Sequence, residues 1–222
     1  MTNQQTEPYA DAWKRRRANE GQVDFTMMYI AHDAFNRDLT RLIQANAEGH
    51  GFSSEAVATW TLFSKQLHNH HTAEDNALWP RLRAAVTDPG EVDILDSMEA
   101  EHGEIDPLLD RIDAAVMDRR ADDLGSELGQ LAVGLAAHMR HEEDAALPLL
   151  DRRLGAPGWD AFSRDVRKQN GGLRAGAEYL PWVLDGASDD VKHQVLKMLP
   201  GPARLLYRRM WEPKYRKAGL LT

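Results

Sequence analysis

The chain has 222 residues, 42% of them hydrophobic and 28% charged, and it contains no cysteine. This length suits one buried domain with an extension, and the lack of cysteine excludes thiolate zinc fingers, iron–sulfur clusters and disulfide frameworks. The formal net charge of -8 argues against a protein that binds nucleic acid by broad phosphate neutralisation.

The first element in chain order is an N-terminal segment, residues 1–22. Its opening residues lack the apolar core of a secretory signal. No apolar run in the chain approaches the roughly 20 residues that span a bilayer. We therefore expect a cytoplasmic protein with neither a membrane nor a nucleic-acid partner, and its subunit number stays open between monomer and homo-dimer.

Four helical segments follow, and their apolar residues advance by alternating steps of three and four, which is the spacing of a bundle seam. The seams run from Phe25 to Leu42, from Trp60 to Ala77, from Leu95 to Val116 and from Leu124 to Leu149. Each seam places one histidine where the periodicity reserves a core position. Short polar or glycine-containing links separate the segments and favour antiparallel neighbours. The sequence thus predicts an all-α fold, an antiparallel up-down-up-down four-helix bundle over residues 23–154.

The chain also repeats itself. His32 and His102 are 70 residues apart, and Glu74 and Glu142 are 68 apart. Counting from His70 and from His138, the residue at offset four is Glu, at ten Pro and at twelve Leu in both cases. Two similar helix pairs would be related by a pseudo-twofold axis, and a pair of metal ions astride that axis would follow naturally.

Histidines and glutamates on the seams form the candidate metal site. A His and a Glu four residues apart share one helix face, so each His-x-x-x-Glu pair can present a nitrogen and a carboxylate to one point. Four imidazoles with two carboxylates suit iron, with manganese or zinc as alternatives. The predicted ligands are His32, His70, Glu74, His102, His138 and Glu142.

The alternative for each histidine alone is a hydrogen-bonded core residue, which is the commoner role of a lone buried histidine. Four together, two with a matched glutamate, favour metal. Asp75 and Glu143, one residue after each glutamate, are about 140 degrees round the helix from their histidines and are interpreted as solvated or outer carboxylates.

Four further residues flank the seams. His71 and His141 are interpreted as rim residues or outer hydrogen-bond donors rather than ligands. Asp106, four residues after His102, and Tyr29, one turn before His32, are additional ligand candidates, although tyrosine at such a position more often packs.

The last segment, residues 155–222, is expected to be a helical C-terminal extension. The sequence indicates one long helix, a turn at Asp185 and Gly186, a short helix after Ser188 and another after Pro202. Its aromatic residues should pack on the bundle and could close one mouth of the site. Its basic end is interpreted as a solvated face.

Several stretches together resemble the hemerythrin-like (HHE) cation-binding domain. HNHHTAEDNALWPRL and HMRHEEDAALPLL are similar to its His-x-x-x-Glu signatures, and MYIAHDAFNRDL and EAEHGEIDPLL to its partner helices. The likeness covers roughly residues 23–154. It implies a non-haem centre of two iron ions, oxo- or hydroxo-bridged and carboxylate-bridged, with the six predicted ligands at the ligand positions.

The sequence departs from the oxygen carriers of that family at two positions. Their third helix carries two histidines four apart, where this chain has Asp106 as the second residue. Their fourth carries an aspartate five after the histidine, where Glu142 at offset four fits the seam better. A poorer imidazole set alters the redox balance, so these departures argue against reversible oxygen carriage.

Three functions remain open from the sequence. The first is redox defence or sensing, in which the di-iron centre reacts with dioxygen, hydrogen peroxide or nitric oxide, as an oxidoreductase would. The second is reversible binding or storage of oxygen or iron without turnover. In the third, the metals only brace a bundle that binds a partner through its tail.

Overall fold

The computed structural model describes residues 9–19, 21–169 and 172–222, and every regular element in these ranges is helical. The predicted all-α class is therefore confirmed. Residues 1–8 of the predicted N-terminal segment lie outside the described ranges. Inside them, that segment contributes helix α1, Tyr9–Ala18.

Four long helices carry the predicted seams. They are α2, Thr26–Ala47; α3, Ser54–Ala73; α5, Pro89–Met117; and α6, Ala121–His141. Ser53 caps α3 by accepting a hydrogen bond from the Ala56 amide at 3.1 Å, and Asp88 caps α5 in the same way. Helix α2 contacts α3 and α6, and α5 also contacts α3 and α6. The contacts between neighbours thus form a closed ring.

Two of these helices continue through a π-helical turn into a short helix. Helix α3 passes through Glu74–Leu78 into α4, Trp79–Arg83, and α6 passes through Glu142–Ala146 into α7, Leu147–Arg153. Each π-turn begins at the glutamate of a His-x-x-x-Glu pair. The sequence repeat therefore extends to the backbone conformation.

The π-turns shift the seam beyond them. The α-helical spacing predicts Ala145 on the buried face, yet Ala145 is half-buried and Ala146 is fully buried. A π-turn holds one residue more than an α-turn, so the burial pattern moves on by one position. Leu149 is buried as predicted.

The C-terminal extension contains more helices than predicted. They are α8, Gly155–Gln169; α9, Leu173–Val183; α10, Asp189–Met198; α11, Gly201–Leu206; and α12, Glu212–Arg216, with a π-turn at Tyr207–Trp211. The expected single long helix is wrong because α8 and α9 are separate. Gly172, just before α9, has φ +60°, a left-handed value that does not continue an α-helix.

Helix α9 of the extension packs on α2. Trp182 is fully buried, and its Nε1 donates to Asp38 Oδ2 on α2 at 2.7 Å. Arg37 on α2 donates to the backbone oxygens of Trp182 and Asp185. At the basic end the side chains are exposed, as expected of a solvated face, namely those of Arg204, Arg208, Arg209, Lys214, Arg216 and Lys217. None of the helices in the described ranges is both long and apolar enough to span a bilayer.

Candidate metal centre

Seven metal-ligating side chains converge where the four long helices meet. Six of them are the predicted residues, and the seventh is His71. The ligand atoms form three overlapping groups, within each of which all atoms lie within 4.8 Å of one another. The groups are His71, His102 and His138; His32, His70 and Glu142; and Glu74, His138 and Glu142.

The first group is built from three imidazoles on three helices. His102 Nε2 on α5 and His138 Nε2 on α6 lie 3.1 Å apart. The His71 ring on α3 stacks on the His102 ring, with 3.9 Å between centroids. All three side chains are at most 2% exposed. We call these residues the three-histidine group.

The second group contains His32 from α2 and His70 from α3, and we call it the two-histidine group. Their rings are perpendicular, with centroids 5.5 Å apart. His32 Nε2 lies 3.0 Å from Glu142 Oε2, and His70 Nε2 lies 3.2 Å from Glu74 Oε1. Each histidine therefore faces a carboxylate from the start of a π-turn.

The two glutamates lie between the groups. Glu74 Oε1 faces His70, while its Oε2 is 3.6 Å from His102 Nε2. Glu142 shares ligand groups with His32 on one side and with His138 on the other. Both carboxylates are at most 1% exposed. Each is therefore placed to reach two cations at once.

The second nitrogen of four rings faces a carboxylate on another helix. The Nδ1 to oxygen distances are 2.8 Å for His32 with Glu143, His71 with Asp106, His102 with Asp75 and His138 with Glu101. Such a carboxylate accepts a hydrogen bond from Nδ1–H and so leaves the Nε2 lone pair free for a cation, which is the usual support of a metal-bound imidazole. Asp75 and Glu143 thus occupy the outer positions interpreted for them from the sequence.

The inner atoms of the cluster fit a cation site. Among the described residues, seven of these buried atoms have no hydrogen-bond partner: His32 Nε2, His70 Nε2, His71 Nε2 and both carboxylate oxygens of Glu74 and of Glu142. Buried polar atoms are nearly always paired, because an unpaired one is costly. Two divalent cations would satisfy all seven, with imidazole and carboxylate donors that suit iron, manganese or zinc.

The pKa values of the cluster also favour a bound cation. Burial and four neighbouring imidazoles hold the pKa of His70 well below its usual value, and burial with the charges of Glu142 and Asp75 raises the pKa of Glu74 well above its own. Burial alone would lower the pKa of His32, but Glu142 and Glu143 outweigh it and raise that pKa to about 9. Without a cation, burial therefore disfavours the charged forms of His70 and Glu74, whereas His32 holds its proton.

His71 is a functional candidate that the sequence interpretation placed wrongly at the rim. It is 1% exposed, and burial lowers its pKa to about 4 even though its hydrogen bond to Asp106 acts the other way. Adjacent residues on a helix are 100 degrees apart, so His70 and His71 point to opposite sides of the line from α3 to the centre. A centre with two cation positions is wide enough to use both. The argument from residue spacing assumed that the ligands of a helix are directed at one point, so it did not include His71 among them.

Asp106 and Tyr29, the two additional candidates, lie elsewhere. The Asp106 side chain is 43% exposed and faces the outer nitrogen of His71, so it supports a ligand candidate. The Tyr29 ring is buried and packs edge-to-face on the rings of Trp13 and Phe25. His141 hydrogen-bonds Glu101 Oε1 at 2.7 Å at the edge of the site, as expected of a rim residue.

A surface groove of about 980 Å³ runs between α5 and α6 and ends at this edge. Ile105, Leu108 and Val133 form part of its apolar wall, and Glu101, His138 and His141 lie at its polar end. Glu101 joins the half-exposed His141 to the outer nitrogen of His138. The groove therefore connects solvent with the outer edge of the three-histidine group.

Comparison with known proteins gives one match. Residues 23–150 match the family model described as the hemerythrin HHE cation binding domain. That stretch contains all seven inner residues, and both α1 and the C-terminal extension lie outside it. No curated protein and no solved structure matches the chain.

Proposed function

The chain belongs to the hemerythrin HHE cation-binding family, and from that premise we propose that it is a non-haem di-iron protein that reacts with dioxygen, hydrogen peroxide or nitric oxide. The observation that carries the proposal is the set of seven buried nitrogen and oxygen atoms in the two histidine groups and the two glutamates that have no hydrogen-bond partner in the described part of the chain. Five imidazoles and two carboxylates are enough donors for two ions.

The residues divide between two ion positions. The three-histidine group would hold one iron and the two-histidine group the other, with Glu74 and Glu142 within reach of both. When bound, the iron pair would supply one-electron redox chemistry and an open coordination position. The protein supplies buried donor atoms, fixed ring orientations and hydrogen-bond acceptors for the outer nitrogens.

The closed ring of helix contacts supports the arrangement of this domain. We propose an antiparallel up-down-up-down bundle over residues 23–154, because α2, α3, α5 and α6 each contact two of the others and short links join them. Residues 155–222 form an extension that covers α2. In this arrangement each long helix contributes at least one imidazole to the centre.

Proton supply favours redox chemistry. Reduction of peroxide or dioxygen takes up protons, and three of the outer carboxylates are partly exposed: the side chains of Asp75, Glu101 and Asp106 are 39%, 30% and 43% exposed. They can exchange protons with solvent while the inner atoms stay dry. Glu101 and His141 place such a route at the end of the groove.

The fifth imidazole supports a second candidate function. The expectation against reversible oxygen carriage rested on a missing histidine in α5, but His71 brings the number of inner imidazoles to five. Reversible binding or storage of oxygen without turnover is therefore retained as the alternative.

One experiment tests the proposal. The protein is loaded with Fe(II) without oxygen, iron per chain is measured, and peroxide consumption and oxygen release are followed against the same amount of free iron. Two irons per chain and consumption well above free iron support it. Iron content at the background level, or consumption equal to free iron, contradicts it. Repeated, reversible spectral change on oxygenation and deoxygenation without peroxide turnover would instead establish the alternative.

A further inference from the structure

Helix α1 brings two arginines to the outer side of the two-histidine group. Arg16 is 4% exposed, and its Nη2 and Nε donate to the two carboxylate oxygens of Glu143 at 2.7 and 3.0 Å. Its Nη1 donates to Asp33 Oδ1 at 2.8 Å, and Arg15 Nη2 adds a 2.8 Å bond to Glu143. A two-pronged bond of this kind is among the strongest arginine–carboxylate pairings.

Glu143 connects this helix with the centre. Its Oε1 also accepts the hydrogen bond from His32 Nδ1 at 2.8 Å, and its side chain is 3% exposed. A line of direct contacts therefore runs from Arg16 through Glu143 to His32. It begins outside the stretch that matches the family model and ends at the outer nitrogen of a predicted ligand.

Glu143 differs in environment from the other outer carboxylates. Asp75, Glu101 and Asp106 are 30 to 43% exposed, so water can solvate their charge. Glu143 is buried, so its charge depends on protein partners. The charge of Arg16 is held in place for this carboxylate by a side chain that is almost as buried.

The contacts of the two arginines hold the Glu143 carboxylate in one orientation. Arg16 and Arg15 together donate three hydrogen bonds to it, and its Oε1 is directed at His32 Nδ1. On the other side of the ring, His32 Nε2 faces Glu142 Oε2 at 3.0 Å. The orientation of the His32 ring therefore depends on contacts that begin at Arg16.

We propose that Arg16 is a positioning residue that allows the two-histidine group to hold its cation, acting through Glu143. It holds the Glu143 carboxylate in place, and Glu143, by accepting the hydrogen bond from Nδ1, fixes the tautomer and direction of the His32 ring. The inference rests on the proposed function, because it assumes two cation positions. It adds that one of them depends on α1, whereas the three-histidine group does not.

The test measures bound cations in the full chain. Co(II) serves as a spectroscopic probe, and the wild type, R16M, R16K and R17M are dialysed against a competing chelator. Arg17 is the neighbouring exposed arginine and gives a matched control. We expect two Co(II) per chain in the wild type, R16K and R17M. R16M should bind the second Co(II) at least about 10-fold more weakly, the usual effect of losing an outer partner, and keep the first.

A second measurement separates positioning from simple structural support. The shift in unfolding midpoint caused by R16M is compared with and without Co(II). Positioning predicts the larger loss in the loaded protein, because weaker binding at the two-histidine group also removes stabilisation that the second Co(II) supplies. Equal losses in both states would overturn the inference. If R16M does not fold, E143Q replaces it in the test. Removal of the Glu143 carboxylate should weaken binding of the same second Co(II), and adding R16Q to E143Q should weaken that binding no further.

The outcomes distinguish this inference from the proposed function. Unchanged affinity for both ions in R16M, or equal weakening of both, overturns the role of Arg16 and leaves the di-iron proposal standing. A wild type that binds no Co(II) and no Fe(II) overturns both.

Discussion

The Nε2 atoms of His102 and His138 lie 3.1 Å apart, while the Nδ1 atom of each ring faces a carboxylate. Two imidazoles that donate their Nδ1–H groups to carboxylates both present lone pairs at Nε2, and these lone pairs repel each other unless a proton or a cation lies between them. The cation-free arrangement is therefore held at a cost that a metal removes.

The first prediction is that transition-metal cations stabilise the fold. At a free concentration of about 100 times the dissociation constant, binding adds about 2.7 kcal/mol, which for this chain length raises Tm by roughly 5 to 10 °C. Thermal unfolding with Fe(II) under anaerobic conditions, or with Co(II), checks it. Calcium is the control, because its preference for oxygen ligands predicts no comparable shift. Equal shifts with calcium would count against the assigned donors.

The second prediction concerns His71. H71Q should weaken binding at the three-histidine group by more than the 10- to 100-fold typical of an outer partner, because a direct ligand is lost. The matched control is H68Q, since His68 lies one turn earlier on α3 and is exposed. Metal content by elemental analysis should fall from two ions toward one in H71Q and stay at two in H68Q. Two tightly bound ions in H71Q would show that His71 is not a ligand.

The third prediction is a pH dependence of the metal-free protein. The pKa of His32 is about 9 in the fold against 6.5 for an ordinary histidine, so the folded state holds this proton more tightly. Its contribution, about 3 kcal/mol, is complete below pH 6.5 and is lost as the pH rises to 9. Urea unfolding of the chelated protein should show the decline, and H32Q should lack it. Metal affinity should rise over the same interval, because binding must displace that proton.

The fourth prediction tests how the C-terminal extension is held. Asp38 is 2% exposed and accepts hydrogen bonds from Trp182 and from Arg37 Nε. D38N removes the charge of Asp38, and the buried N–H donors of Trp182 and Arg37 then face a poorer acceptor. We therefore expect a loss of about 3 kcal/mol in the free energy of unfolding. Denaturant titration measures it, with D160N at an exposed position of α8 as the control. A loss no larger than in D160N would show that this contact does not anchor the extension.

Much of the helical framework was predictable because it depends on local spacing. The residues from Phe25 to Leu42, for example, recur with the helical period, and that period alone indicates which face is buried. The six predicted ligands are brought together for the same reason. Their identity as ligands stays a prediction. Spacing indicates which side of each helix is buried, but it does not show that a metal ion lies between the helices.

The sequence predictions were wrong where helical periodicity alone does not determine the position of a side chain. His71 was misplaced because the seam was treated as a line, whereas a centre with two cation positions is wide enough for neighbours on one helix. Ala145 was misplaced because the helical period changes at a π-turn, and no residue in that turn signals the change. The contact of Arg16 with Glu143 joins residues 127 apart, and no periodicity within the sequence relates them.

The π-turns at Glu74 and Glu142 extend the sequence repeat to the shape of the chain. Each contains one residue more than a regular α-turn, and such turns are frequent at functional sites. Both begin at the glutamate four residues after the seam histidine, at equivalent positions in the two halves of the repeat. A helix pair that carried its π-turn before it was duplicated would account for both turns with one change instead of two.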